Sequence, residues 1–270
     1  PLADALWPSS TFTAKALEPF ADSKRRPLQV MPMAVHIEQP ERYREPSLRG
    51  QTRERWGLDS EAKLVLFVFD VKSSLERKNP WGAIKAFQQA FPQKSQSDVQ
   101  LVIKALRPGS ANQAWEKLQQ QAAQDPRMKV IEADLERDDL LALIGACDVF
   151  LSLHRSEGFG RGIAEAGILG LQVVTRSWGG NVDFCKGERF SMVECEEVAI
   201  RSGEYDGAEG HKWGNPDLKT AAHKLTEAIA LFAQADNLNS ELRELSIKQT
   251  GYRYRKALEA RGSRTSSQRA

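Results

Sequence analysis

Residues 148–176 read D-V-F-L-S-L-H-R-S-E-G-F-G-R-G-I-A-E-A-G-I-L-G-L-Q-V-V-T-R. Two short, largely apolar runs, 148–153 and 171–176, enclose a glycine-rich turn and a stretch of helical periodicity that ends at about Leu169. An apolar run of this length without polar alternation is the pattern of a strand buried on both faces. Strand, helix and strand in succession make a βαβ unit, whose two strands run parallel and whose crossover is right-handed.

The same alternation extends upstream. K-L-V-L-F-V-F (63–69) predicts a buried strand, and N-P-W-G-A-I-K-A-F-Q-Q-A-F (79–91) a helix with Asn79 as N-cap and Pro80 in its first turn. A strand at 99–104, a helix at about 112–124, a strand at 128–131 and a helix at about 137–147 complete the approach to the opening stretch. The fold class expected is α/β, a doubly wound parallel sheet of Rossmann type. Residues 177–216 read as irregular, with short strands near Ser191 and Trp213, and two helices, 217–235 and 240–258, close the chain. Three segments follow: 1–60 as a leading region in which 27–35 is an edge strand or connection, 61–258 as the sheet domain, and 259–270 as a flexible, basic tail.

Composition narrows the classes. With 41% hydrophobic and 27% charged residues in 270, the chain is an ordinary globular protein able to bury a large core. No apolar run nears the roughly 20 residues of a membrane helix. The start lacks a secretion signal, so the expected location is cytoplasmic. A net charge of +2 gives no reason to expect nucleic acid as a partner. Cys147, Cys185 and Cys195 lack metal-ligand spacing and read as small core residues, with a Cys185–Cys195 bridge as the alternative in an oxidising compartment. No metal site is expected.

In open parallel sheets ligands bind outside the carboxyl ends of the strands. Three features fall there: the loop after the first strand with Lys72, Arg77 and Lys78, then Lys104 at the end of the second, then S-E-G-F-G-R-G after the fourth. Gly158 and Gly160 permit backbone angles closed to other residues and close approach of a ligand, while a helix starting near Gly160 or Arg161 offers free amides and a positive dipole end suited to phosphate. Glu157 before that helix and Glu165 one turn inside it are acceptors for sugar hydroxyls, and a carboxylate takes a ribose diol side by side. Arg161 or the basic loop balances a pyrophosphate. A glutamate in a first helical turn and glycines at a helix start also occur without a ligand, so the spacing alone leaves both readings open.

S-L-H-R-S-E-G-F-G-R-G-I-A-E-A (152–166) followed by L-G-L-Q-V-V-T resembles the glutamate-seven-residues-glutamate signature of family 4 retaining glycosyltransferases, which have GT-B architecture. S-S-L-E-R-K-N-P-W-G-A-I-K-A-F (73–87), D-D-L-L-A-L-I-G-A-C-D-V-F-L-S-L (138–153), W-G-N-P-D (213–217) and D-A-L-W-P-S-S (4–10) resemble further segments of that family in the same order. The resemblance implies that the chain is the carboxyl-terminal, donor-binding half of such an enzyme, with the amino-terminal acceptor domain represented only by its last element. It implies metal-independent transfer, with retention, from a nucleotide diphosphate sugar, UDP- or GDP-linked, to a glycan, lipid or protein acceptor. The isolated half would bind the nucleotide sugar weakly and not transfer it. Peripheral membrane association would come through the other domain.

Residue by residue, Glu157 would contact the donor sugar, Glu165 the ribose, and the main chain of Gly158, Phe159, Gly160, Arg161 and Gly162 the phosphate or sugar. Lys78 would neutralise the pyrophosphate. Where many members carry Gly-Arg at the end of the first strand this chain has Phe69-Asp70, and Arg77 or Lys72 would substitute. His154, Trp178, Gly179, Gly180 and Asn181 are weaker candidates beside the sugar. The competing readings are a sugar-nucleotide epimerase with the same architecture, which would need acid–base residues in the cleft, and a non-catalytic interaction module.

Overall fold

The structure is a computed structural model that describes residues 3–93, 98–107, 113–231 and 240–267. In chain order its helices and main-sheet strands are α1 (Thr11–Leu17), α2 (Pro46–Arg55), β1 (Lys63–Asp70), α3 (Leu75–Lys78), α4 (Pro80–Ala90), β2 (Val99–Leu106), α5 (Gln113–Ala123), β3 (Met128–Glu132), α6 (Arg137–Ala146), β4 (Val149–Ser152), α7 (Arg161–Ile168), β5 (Gln172–Arg176) and β6 (Phe190–Val193). A separate hairpin, β7 (Cys195–Ala199) and β8 (Lys212–Pro216), precedes α8 (Leu218–Leu231), α9 (Ser240–Glu244) and α10 (Ile247–Ser267).

The six strands of the main sheet are all parallel in the order β3-β2-β1-β4-β5-β6, the doubly wound order expected. Strand order reverses between β1 and β4. The crevice outside their carboxyl ends is therefore the topological switch point. Alternate residues of β1 enter two cores: Leu64 and Leu66 pack toward α6 and α7, while Val65, Phe67 and Phe69 pack toward α4, α5 and α8. Leu64 to Phe67 have no exposed surface, and each such side chain contributes roughly 1.5–3 kcal/mol on burial.

The local signals hold where they were strongest. The Asn79 side chain accepts the Gly82 amide at 3.2 Å with Pro80 in the first turn of α4. Phe190–Val193 and Lys212–Pro216 are the strands expected near Ser191 and Trp213. The expected start of α5 at Asn112 and the end of α8 at 232–235 lie outside the described residues.

Two expectations need correction, and one open alternative is decided. The tail is not loose through its whole length, because α10 continues to Ser267. The closing segment 240–258 is two helices, divided at Leu245 and Ser246. The segment 27–35, expected as an edge strand or a connection, is the connection: it forms no strand and is tied down by the Leu6–Leu28 bridge and by the Met31 and Val35 amides, which donate to the carbonyls of Pro8 at 2.8 Å and Leu245 at 2.9 Å.

Helix α2 was not anticipated, since its sequence P-S-L-R-G-Q-T-R-E-R has almost no apolar face. Ion pairs hold it instead. Asp148, 1% exposed at the foot of β4, accepts from Arg49 at 3.0 Å, Arg53 at 3.1 Å and the Leu64 amide at 2.8 Å.

Candidate active site

The loop after β1 ends in the single turn α3, capped by Ser74, and delivers Arg77 and Lys78 to the switch point. The loop after β4 delivers His154 and Glu157 to the same place. Glu157 Oε1 accepts from Lys78 Nζ at 2.5 Å and His154 Nδ1 at 2.9 Å, with Arg77 Nη1 at 3.5 Å. Burial opposes the charge of Glu157, but His154 and Lys78 outweigh it and hold the carboxyl well below the usual range. Burial also depresses Lys78, and it brings His154 down to about 4, so that its imidazole is neutral at pH 7.

Arg161 opens α7, and no side chain caps that helix start. Gly160, the residue before it, has φ +97°, a conformation that L side chains rarely adopt. The helix start is a ready anion site. Glu165 on the same helix is 4% exposed, its Oε1 2.8 Å from Arg137 Nη1 and 4.0 Å from Arg161 Nε. Burial raises its carboxyl despite these cations. Lys78, His154, Glu157, Gly160, Arg161, Gly162 and Glu165 share the wall of one cavity of about 270 Å³. Its lining also holds two buried polar atoms with no hydrogen-bond partner among the described residues, Ser152 Oγ and His154 Nε2.

Residues 49–189, more than half of the chain, match the family profile of glycosyl transferases group 1. The chain is a member of the glycosyl transferases group 1 family. Among solved structures the fold is shared with a glycosyltransferase from Rickettsia africae (16% identity, TM-score 0.65, covering 93% of this chain and 61% of that one). It is shared too with a sucrose-phosphate synthase from Thermosynechococcus elongatus (18%, 0.64, 96% and 59%) and an α,α-trehalose 6-phosphate synthase from Burkholderia multivorans (15%, 0.67, 99% and 60%). The chain thus spans about three-fifths of the length of these proteins, and its sheet is that of the GT-B glycosyltransferases. No curated protein sequence matches it.

In this group 1 domain the expected residues divide into two sets. Glu157, Lys78, Arg77, Glu165, Gly160, Arg161 and Gly162 converge on the switch point, and His154 joins them as a direct partner of Glu157. Lys104 does not. It is wholly buried, with Nζ donating to the carbonyls of Ala105 at 2.7 Å and Ala133 at 2.5 Å, because two main-chain acceptors at the ends of adjacent strands satisfy an ammonium that has no water. Lys72 is exposed and lines a neighbouring basin. The Phe159 side chain turns into the core against Phe184, centroids 5.2 Å apart, which leaves only its main chain for a ligand.

Trp178 is likewise outside the cavity. Its ring meets Phe12 edge-on at 4.6 Å and covers Gly214, fixing α1 and the hairpin to the sheet. Gly179 and Gly180 serve the backbone rather than a ligand. A Cβ on Gly180 would fall 1.9 Å from the Gly158 carbonyl, so the loop after β5 lies directly on the glutamate loop, tied by the Gly180 amide to the Glu157 carbonyl at 2.9 Å. Asn181 braces this turn by donating to the Arg176 carbonyl at 2.9 Å.

Arg176 itself was missed. Its guanidinium is fully buried, has no hydrogen-bond partner among the described residues, and feels the charge of Glu157, while burial lowers it to about 10. Its signal was a cation at the ligand end of an otherwise apolar strand. Arg107, also missed, lies just beyond β2 and pairs with Asp70, which brings an arginine to the end of β1.

Proposed function

We propose that this chain is the donor-binding part of a retaining, metal-independent glycosyltransferase that uses a nucleotide diphosphate sugar. The observation that carries the reading is the placement of Glu157, Lys78 and Arg77 in one cleft with Glu165 and the uncapped start of α7. The diphosphate would lie at the α7 amides and draw Lys78 and Arg77 away from Glu157, while Glu165 would accept the ribose hydroxyls. Freed of its cations, the Glu157 carboxylate faces the sugar. The charge that develops on the departing nucleoside diphosphate would meet two fixed cations and a helix start that need no rearrangement during the reaction. Neutral His154 donates one hydrogen bond from Nδ1 to Glu157, and so orients the carboxylate without adding a charge.

The acceptor, the remaining wall of the cleft and any membrane contact would belong to an amino-terminal domain of the same enzyme. Titration calorimetry with UDP, GDP, ADP and their sugar conjugates tests the donor reading. Binding of one nucleotide series, weakened about tenfold or more in Glu165→Ala and Lys78→Ala, is expected. No binding of any nucleotide, or binding indifferent to both substitutions, would sink it.

A further inference from the structure

A second depression of about 920 Å³ lies on the other side of the loop after β1, between that loop and the turn 200–211 of the β7–β8 hairpin. It shares no lining residue with the cleft. Its volume is in the range of small-molecule sites, roughly 300–1,000 Å³.

Two aromatic rings line it, Trp81 at the start of α4 and Tyr205 on the hairpin, and Tyr205 is 41% exposed. Around them stand hydroxyls and carboxylates: Ser73, Ser74, Glu76 and Asp206. Ser74 Oγ donates to the Glu204 carbonyl at 2.7 Å and fixes the hairpin against the loop, so the basin has a built floor. The charge balance is acidic. Among the described residues, Glu76, Glu204 and Asp206 face a single lining cation, Lys72, which disfavours phosphate or a nucleotide. Glu76 is paired with Arg155 at 3.2 Å, and Glu204 accepts the Arg201 amide at 2.8 Å, but the exposed Asp206 carboxylate has no partner among the described residues.

An exposed Tyr205 ring and a half-buried Trp81 ring beside carboxylates and hydroxyls suit one class of ligand. A pyranose presents an apolar C–H face to an aromatic ring and vicinal hydroxyls to a carboxylate. We propose that this basin binds a neutral carbohydrate chain, laid against Tyr205 and Trp81 with hydroxyls taken by Asp206 and the serines. The site communicates with the cleft through one side chain, since Arg77 lies 5.7 Å from the centre of the Tyr205 ring and reaches Glu157 with Nη1. Carbohydrate bound on Tyr205 therefore bears on the cation that holds Glu157. The inference is independent of the donor reading.

Tryptophan fluorescence titration with maltotriose, cellotriose and mannotriose tests it. Saturable binding of at least one trisaccharide is expected, weakened about tenfold by Tyr205→Ala and several-fold by Asp206→Asn, and unchanged by Glu165→Gln. Both basin side chains are exposed, so these variants keep the fold. Absence of saturation with all three sugars, or binding untouched by both basin variants, overturns the proposal. Loss of binding in Glu165→Gln alone also overturns it, by placing the sugar in the cleft.

Discussion

Acidification titrates His154 and Glu157 in different windows, although the two side chains share a hydrogen bond. The imidazole takes up its proton at about 4 when folded, against 6.5 when free, so below 6.5 the unfolded chain binds a proton that the folded chain refuses. Stability is then lost as pH falls from 6.5 to 4, by up to about 3 kcal/mol, and is flat above that window. Glu157 behaves as a depressed carboxyl: its contribution is complete above the free value of 4.5 and is lost as pH drops below it. Urea unfolding across pH 3–8 should lose the upper limb in His154→Gln and the lower limb in Glu157→Gln. At pH 7 Glu157→Gln should also cost about 3 kcal/mol, since Lys78 and Arg77, with side chains 13% and 18% exposed, are left without their carboxylate. Gly180→Ala tests the backbone contact. With the Gly158 carbonyl 1.9 Å from the added carbon, one loop must yield, and calorimetric melting should show a loss of 2 kcal/mol or more.

Helix α1 shows how an element outside the sheet supports the site. Ser10 caps it by accepting the Thr13 amide, and the same hydroxyl donates to the Gly158 carbonyl at 2.5 Å. Asp183 accepts the Thr11 amide at 2.7 Å, so the turn after β5 caps α1 in return. Ser10→Ala should cost about 1–2 kcal/mol in denaturant unfolding, more than Thr13→Ala, because it removes a cap and strips a donor from the glutamate loop. At this scale the sequence was informative wherever one kind of force decided the outcome. Buried parallel strands announce themselves as unbroken apolar runs, and the turn before α7 announces itself by its glycines. Helix α2 was silent because its partner is a carboxylate 95 residues away in the chain, at Asp148, and pattern carries no trace of such pairing. Lys104 and Trp178 misled for a related reason. Both sit at strand ends on the ligand side, yet carbonyls and a neighbouring helix satisfy them, and which way a side chain turns there depends on neighbours that only the fold supplies.

The whole molecule rests on few charges in its interior. Asp148 ties α2 to the base of β4 through two arginines, and Asp148→Ala should cost about 3–5 kcal/mol by removing the carboxylate that balances both guanidinium charges, a loss that thermal unfolding would read. The site's charged members and their shared strand-end crevice were legible, but the direct ion pair of Lys78 with Glu157 was not, because strand order rather than spacing brings the two side chains into contact. That order has a temporal side. Strands β1 and β4 lie side by side with 71–148 looped out between them, an excursion whose closure costs roughly 4 kcal/mol of chain entropy before any contact across the seam compensates it. Pairings so distant in sequence slow folding. The crevice therefore cannot exist in a half-folded chain: during refolding, helical circular dichroism should recover first, and the power to hold a ligand should arrive only with the final phase, when the two halves of the sheet join.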